Sequence, residues 1–578
     1  MSFISKTSSR SRYFILRQLN HGIFSRRTKA ATTTGEHWNA SSLTDFQSWK
    51  QAACFSTSSS SVLLNKAVFS SQASIMKKHM SFDENTVDDD SCHSSRIVYP
   101  QRPIPHPISK TPAFPDEYDS ALMQTSIPGP KSTELLKEMD TYQNTKTVHF
   151  FVDYAQSRGN YIVDVDGNRY LDVLGQIASL PIGYNHPEMA KAITDPRNLS
   201  MLTQRPCLGM LPPADWTERI RNTLMRFAPK GLTDATTMMC GSCSNENAFK
   251  AAFIWYRTKQ RMGKPPTQED MTSCMSNAAP GAPDLSILSF SGGFHGRLLG
   301  CMSTTHSKAI HKVDIPAFDW PVTPFPSLKY PLHDYIAENV ADEKRCLALA
   351  EESIISQKSK NPVAAIIVEP IQAEGGDNHA SPDFFRKLRD IASKHGVAFI
   401  VDEVQTGGGS TGNFWAHEKW ELENPPDIVT FSKKMQTGGY YCKREFRPEE
   451  GYRIFNTWMG DPSKIVQLEA FLDVMERDDL LENTRITGKY LMDGLFSLSE
   501  TYPELVSNVR GKGTYIAVDF PTTQDRDTMI SLLRQYGVEA GGSGDTSLRL
   551  RPALVFQPKH AAEFLNIFNF ACNQMEGP

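Results

Sequence analysis

The sequence predicts an α/β fold, a large domain built on a mostly parallel sheet and followed by a smaller α+β domain. Three observations predict it. The runs 285–290, 363–368, 397–401 and 428–431 are mainly apolar, broken only by Ser286, Ser289 and Thr430 and without the polar alternation of a half-wet sheet, so they read as strands buried on both faces. Helix-compatible segments at 244–261 and 382–395 alternate with them, as parallel strands require. After about Arg444 the pattern changes to helices (463–476, 480–502) and short strands (513–520, 547–550).

Taken in order, the chain of 578 residues opens on a stretch unlike the rest. The first 35 residues hold seven Lys or Arg, no Asp or Glu, and many Ser and Thr, the composition of a mitochondrial transit peptide. Residues 1–80 carry eleven basic residues against two acids, so with a whole-chain net charge of −4 the remainder stands at −13. So acidic a body gives no electrostatic encouragement to nucleic-acid binding. No apolar run approaches the roughly 18 residues of a membrane span. The expected layout is a transit peptide with a Ser-rich segment over 1–80, a disordered acidic and Pro-rich linker over 81–113, and ordered sequence from Phe114. In the segment 158–173, polar and apolar residues alternate around Asp166-Gly167-Asn168, which reads as a hairpin. A strand is expected at 236–239.

Charged residues close several of the buried runs. Asp402 ends the run 397–401, Lys433 lies just past 428–431, and Glu369 ends 363–368. Ligands of open α/β sheets sit outside the carboxyl ends of the strands, so these groups have a place to meet. A carboxylate and an amine so placed suit pyridoxal phosphate: the Lys holds the cofactor aldehyde and the Asp keeps the pyridine nitrogen protonated. Taken singly, a charge at a strand end is more often solvated surface. Gly241-Ser242 opens a helix and offers free N–H groups to a phosphate, although an ordinary helix cap is the commoner use. Cys240 and Cys243, the one C-x-x-C pair among ten cysteines, read as packing residues, a redox pair, or half of a metal or iron–sulfur site. Phe294 offers a ring for stacking, Arg297 and Arg549 offer forks for carboxylates, and Glu374 is a candidate partner of Arg549.

These motifs stop being independent when read together. DEVQTGG, FSKKMQTGG, SGGFHGR, EPIQAEGG and FNTWMGDP, in their places here, closely resemble the class III aminotransferases over roughly 114–575. The resemblance implies a fold-type I, pyridoxal-phosphate-dependent homodimer with a seven-stranded sheet, a small domain made of 114–170 and 446–578, and a large domain over 171–445. It implies that Lys433 holds the cofactor and shuttles the substrate proton, with Lys434 a flanking residue. Asp402 faces the ring nitrogen, Gln405 the ring hydroxyl, and Phe294 stacks on the ring. Gly241 and Ser242 cradle the phosphate with Thr457 of the other subunit, and Asn245 and Glu369 complete the cofactor site. Ile177, Arg297, Glu374 and Arg549 are implied for substrate, Arg549 receiving an α-carboxylate that Glu374 masks in the other half-reaction. Cys240 and Cys243 are implied as ligands of a [2Fe–2S] cluster shared across the dimer. Leu174 and Ser410 depart from the family, the first where an aromatic residue often lines the pocket, the second where some members carry cysteine. The implied activity is mitochondrial-matrix transamination of 4-aminobutyrate with 2-oxoglutarate, with β-alanine or ornithine as the alternative donor. No membrane and no nucleic acid is implied.

Overall fold

The computed structural model describes residues 105–576. The stretches expected as transit peptide, Ser-rich segment and, as far as residue 104, linker lie outside the described residues. Within residues 105–113, expected as linker, most side chains are exposed, and the segment is tied to the fold at Ser109 and Thr111. Ser109 Oγ donates to Asn483 Oδ1 (2.9 Å), and Gln557 Nε2 donates to the Thr111 carbonyl (3.0 Å). Isolated side-chain hydrogen bonds leave no periodic signal in a Pro-rich stretch, so the sequence does not show these ties ahead of Phe114.

The hairpin forms as expected from β1 (Tyr161–Val163) and β2 (Arg169–Asp172), paired antiparallel. Seven strands then make the principal sheet: β3 (Asp234–Met238), β4 (Ser286–Phe290), β5 (Val322–Thr323), β6 (Val363–Val368), β7 (Ala398–Asp402), β8 (Ile428–Phe431) and β9 (Gly438–Cys442). Their order is β3-β9-β8-β7-β6-β4-β5, and β9 alone runs against its neighbours. Along β7 the pleat sends Phe399 and Val401 into one apolar cluster and Ala398 and Ile400 into another on the opposite face. Both faces are therefore covered, which is the reason the strands carry no polar alternation.

Helix α1 (Gly241–Gln260) follows β3 and covers the face that includes Ile400. Helix α2 (Ile336–Gln357) was not expected. Its buried positions, Asn339, Glu343, Cys346, Leu347, Ala350 and Ile354, have helical spacing, but two are polar and hide the stripe. Glu343 earns its burial by accepting from the Ser381 amide and hydroxyl at 2.6 and 2.7 Å. Helix α3 (Pro382–His395) has legible ends: the Ser381 hydroxyl accepts from the Phe384 amide, Pro382 takes the first turn, and Gly396 closes at φ 65°.

Beyond the principal sheet, α4 (Leu480–Thr501), β10 (Ser507–Lys512), β11 (Tyr515–Asp519), α5 (Thr523–Gln535), β12 (Val538–Glu539), β13 (Gly541–Ser543), β14 (Ser547–Leu550) and α6 (Pro558–Glu576) follow in turn. Four of the strands pair antiparallel in the order β10-β11-β14-β13, under helices that bring Leu491, Met529, Phe564 and Phe568 onto Ile516 and Leu548. β12 pairs in parallel with β2, so the early hairpin belongs to a three-stranded sheet with the chain's last third. No helix among the described residues is long and apolar enough to cross a membrane.

Candidate active site

The parallel strands all end at one edge of the principal sheet, and the loops leaving that edge enclose a cavity of about 460 Å³. Cys240, Gly241, Ser242 and Asn245 come from the start of α1, Phe294 from the loop after β4, and Glu369 from the end of β6. Asp402 and Gln405 follow from β7, and Lys433 from just past β8. The structure thus brings together residues spread over nearly two hundred positions, as a shared carboxyl edge demands.

Asp402, 4% exposed, is held by three close donors. Its Oδ2 accepts from Asn245 Nδ2 and is paired with His295 Nδ1, both at 2.8 Å, and its Oδ1 accepts from the Val404 amide at 3.0 Å. His295 also lines the cavity, and the sequence reading passed over it between Phe294 and Arg297. Burial pushes Glu369 well above the usual carboxylate range, and the Asp402 charge adds to this. The amides of Phe294 and Ala373, which donate to Glu369 at 2.8 and 3.1 Å, offset only part of it.

Two lysines stand side by side in sequence but not in surroundings. Lys433, in the left-handed region at φ 49°, lines the cavity. Lys434 is wholly buried, and its Nζ lies 3.4 Å from the Ala178 carbonyl. Burial lowers Lys433 to about 8, with Arg549 and Arg551 pushing the same way against Glu374. Burial, with Arg551 and Lys433, takes Lys434 to about 7.

Beside Lys433, Glu374 Oε1 accepts from Arg549 Nη1 at 2.6 Å. Burial works to raise Glu374, but Arg549 and Lys433 outweigh it and hold the carboxyl at about 2. Arg549 Nε is buried without a hydrogen-bond partner, so the guanidinium has a donor to spare.

Other expected residues lie apart from this cluster. Arg297 is exposed, its guanidinium 5.8 Å from the centroid of the Phe294 ring and Nη2 3.3 Å from His311 Nε2. Ile177 is 51% exposed, and Thr457 is exposed; neither lines the cavity of a single subunit. The Cys240 and Cys243 sulfurs are 3.5 Å apart, with Cys240 exposed and burial raising Cys243 to about 11. Among the described residues no group of three or more His, Cys, Asp or Glu is gathered to hold a metal.

Known proteins resemble this chain in sequence and fold. A model of the family described as Aminotransferase class-III matches residues 142–572. The chain belongs to the class III aminotransferases. The 4-aminobutyrate aminotransferase of Homo sapiens, mitochondrial by its name, is 56% identical over 479 residues, covering 82% of this chain and 96% of that protein. The 4-aminobutyrate aminotransferase of Dictyostelium discoideum is 56% identical over 463 residues, or 80% of this chain and 93% of its relative. Among solved structures, the lysine aminotransferase of M. tuberculosis superposes with a TM-score of 0.67 at 28% identity, covering 76% of this chain and 98% of the other.

As a class III aminotransferase the chain acts on small amino and oxo acids with pyridoxal phosphate, and its cavity fits that cofactor. Helix α1 begins without a side-chain cap, which leaves its first amides free for a phosphate. A Cβ on Gly241 would come within 2.6 Å of Val404 Cγ1, so the cradle closes only on glycine. Buried Asn245 Oδ1 has no partner and points to a missing donor. Gly438, opening β9 just after the lysines, packs so closely on the Cys240 backbone that a Cβ there would come within 2.7 Å of it.

Proposed function

We propose that this chain transfers the amino group of 4-aminobutyrate to 2-oxoglutarate, yielding succinate semialdehyde and then glutamate in two successive half-reactions. The observation that carries the reading is the Glu374–Arg549 pair at 2.6 Å beside the cavity lysine. Such a site accepts first an acid with no carboxylate near its amine, then a diacid. A buried guanidinium left unpaired in either state would be costly, and Glu374 serves as its partner until a substrate carboxylate replaces it. The names of the relatives support 4-aminobutyrate as the donor.

Bound pyridoxal phosphate supplies an aldehyde and a ring that accepts electrons from the bond broken beside it. The chain's own residues do the rest. The amides at Gly241 and Ser242, with the partner subunit's Thr457, hold the phosphate, and Phe294 packs on the ring. Asp402, fixed by His295 and Asn245, keeps a proton on the ring nitrogen. Gln405 faces the ring hydroxyl, and Glu369, whose ionisation burial disfavours, closes the cofactor site while accepting from the Phe294 and Ala373 amides. Lys433 holds the cofactor, gives way to the substrate amine, and then moves a proton off the substrate carbon that bears nitrogen. Arg297, beside the Phe294 ring, and Ile177 meet the far end of the donor.

Replacing Arg549 by methionine tests this reading. The half-reaction with 2-oxoglutarate is expected to lose roughly 10²–10³-fold in kcat/KM, the scale of a truncated charge pair, with a much smaller loss for 4-aminobutyrate. An equal loss for both substrates argues against the switch. Turnover of β-alanine and ornithine beside 4-aminobutyrate settles the donor, and a preference for ornithine overturns it.

The neighbouring sulfurs of Cys240 and Cys243 support two ligands of a [2Fe–2S] cluster completed by a second copy of the chain. Cys240→Ser is expected to abolish iron and acid-labile sulfide in the purified protein, and unchanged content in a variant of an iron-positive enzyme refutes the cluster. The homodimer is tested by sedimentation. The matrix address, supported by the basic first 35 residues, is tested by import into isolated mitochondria.

A further inference from the structure

We infer that Arg551 is a positioning residue: anchored by Asp377, it fixes the amide of Gln405 so that its NH₂ faces Glu374, and so sets how readily Glu374 leaves Arg549. This rests on the transamination reading above and deepens it.

Arg551 follows β14 with its side chain 0% exposed, and Asp377 is 1% exposed. A buried guanidinium must have its donors used. Nη2 donates to Asp377 Oδ1 at 2.6 Å, Nη1 to the Leu550 carbonyl at 2.9 Å, and Nε to Gln405 Oε1 at 3.0 Å. The group also lies over the Tyr515 ring, 3.2 Å from its centroid, and the Tyr515 hydroxyl donates to the same Gln405 Oε1 at 3.2 Å.

Two donors therefore converge on one atom of a carboxamide. Arg551 has no lone pair to offer, so a flipped amide would set N–H against N–H in a buried site. The oxygen is held on Arg551, and the NH₂ is directed at Glu374 Oε1, 3.4 Å away. That oxygen is the one Arg549 holds at 2.6 Å. Arg551 acts on Glu374 by a second route through the backbone. Asp377 stands three residues beyond Glu374, across Gly375 and Gly376, and its carbonyl accepts from Arg510 Nε at 3.0 Å. The far end of the loop is thus pinned while Glu374 keeps its own rotations.

Glu374 in place over Arg549 answers two donors, and losing the Gln405 contact makes departure easier. A ligand that needs Arg549 vacated binds in proportion to the vacated fraction. A monocarboxylate that leaves the pair intact gains nothing.

The test uses the cofactor-loaded full chain with Arg551→Lys, which keeps a charge for Asp377 but not the fork, and with Tyr515→Phe. Calorimetric affinities for glutarate and butyrate give one ratio. The half-reactions with glutamate and with 4-aminobutyrate, followed by cofactor absorbance, give another. Both ratios are expected to shift toward the dicarboxylate, by about fivefold in Arg551→Lys and less in Tyr515→Phe, the scale of one ordinary net hydrogen bond, as the 3.4 Å contact of Gln405 with Glu374 suits. Ratios that stay at the wild-type value, whether the separate constants fall together or not at all, overturn the inference, as does a shift toward the monocarboxylate. Should Arg551→Lys not fold, Tyr515→Phe decides alone. Wild type that fails to react with glutamate or 2-oxoglutarate refutes the transamination reading instead, and the glutarate-to-butyrate ratio still judges Arg551.

Discussion

Lys433→Ala is expected to lower turnover by roughly 10²–10⁴-fold, the range for losing a positioned general base, and more if the residual protein cannot hold its cofactor. In wild type the proton-transfer step is expected to quicken as pH rises toward about 8, the value to which burial lowers the Lys433 amine, and to level off above it. Its neighbour gives the control. Lys434 lies outside the cavity, so Lys434→Met is expected to leave kcat near wild type while changing stability. The folded amine releases its proton at about 7 and the unfolded one at about 10.5. Between those values the unfolded chain binds the extra proton, so wild-type stability rises with pH through that window. The methionine variant is expected to lose the Lys434 share of this rise and to keep the smaller share from Lys433, as read by denaturant unfolding at pH 7 and pH 9. Normal turnover in Lys433→Ala with a dead Lys434→Met would exchange the two roles.

Asp402→Asn is expected to lower kcat by roughly 10²–10³-fold, the scale of one preorganised electrostatic contact. Two effects compound. The charge opposite the ring nitrogen is lost, and the donors from Asn245 and His295 that converge on Asp402 Oδ2 meet either an amide oxygen or an NH₂ group. Asp402 also helps hold Glu369 above the carboxylate range, so the variant should let Glu369 ionise at lower pH. Stopped-flow half-reactions would read the first effect, and the pH dependence of the residual rate the second. A kcat within threefold of wild type would remove Asp402 from the mechanism.

The parts of the fold that were legible in sequence are those where physics is local. β6 through β8 are apolar because both faces are covered, and α3 announces itself through Ser381, Pro382 and Gly396. Strand β9 was not legible, since it begins with two glycines placed by close backbone approach rather than by hydrophobicity. Helix α2 hid because Asn339 and Glu343 occupy its buried stripe, Asn339 satisfied by the Lys329 backbone ahead of the helix and Glu343 by Ser381 well beyond it. The site divides in the same way. Asp402 and Lys433 could be proposed from their place at strand ends. His295 could not, because its partner Asp402 is 107 residues away and no spacing rule joins them. Nor could the Arg551–Gln405 contact, which needs the two sheets assembled.

The contact between Gly438 and Cys240 bears on how such an enzyme tolerates change. It joins the segment behind the lysines to the turn where α1 starts, backbone against backbone, so a side chain at Gly438 would displace both walls of the cavity at once. Libraries aimed at new donors should therefore leave Gly438 and Gly241 alone and vary Arg297, which is exposed and outside the cavity wall of a single subunit.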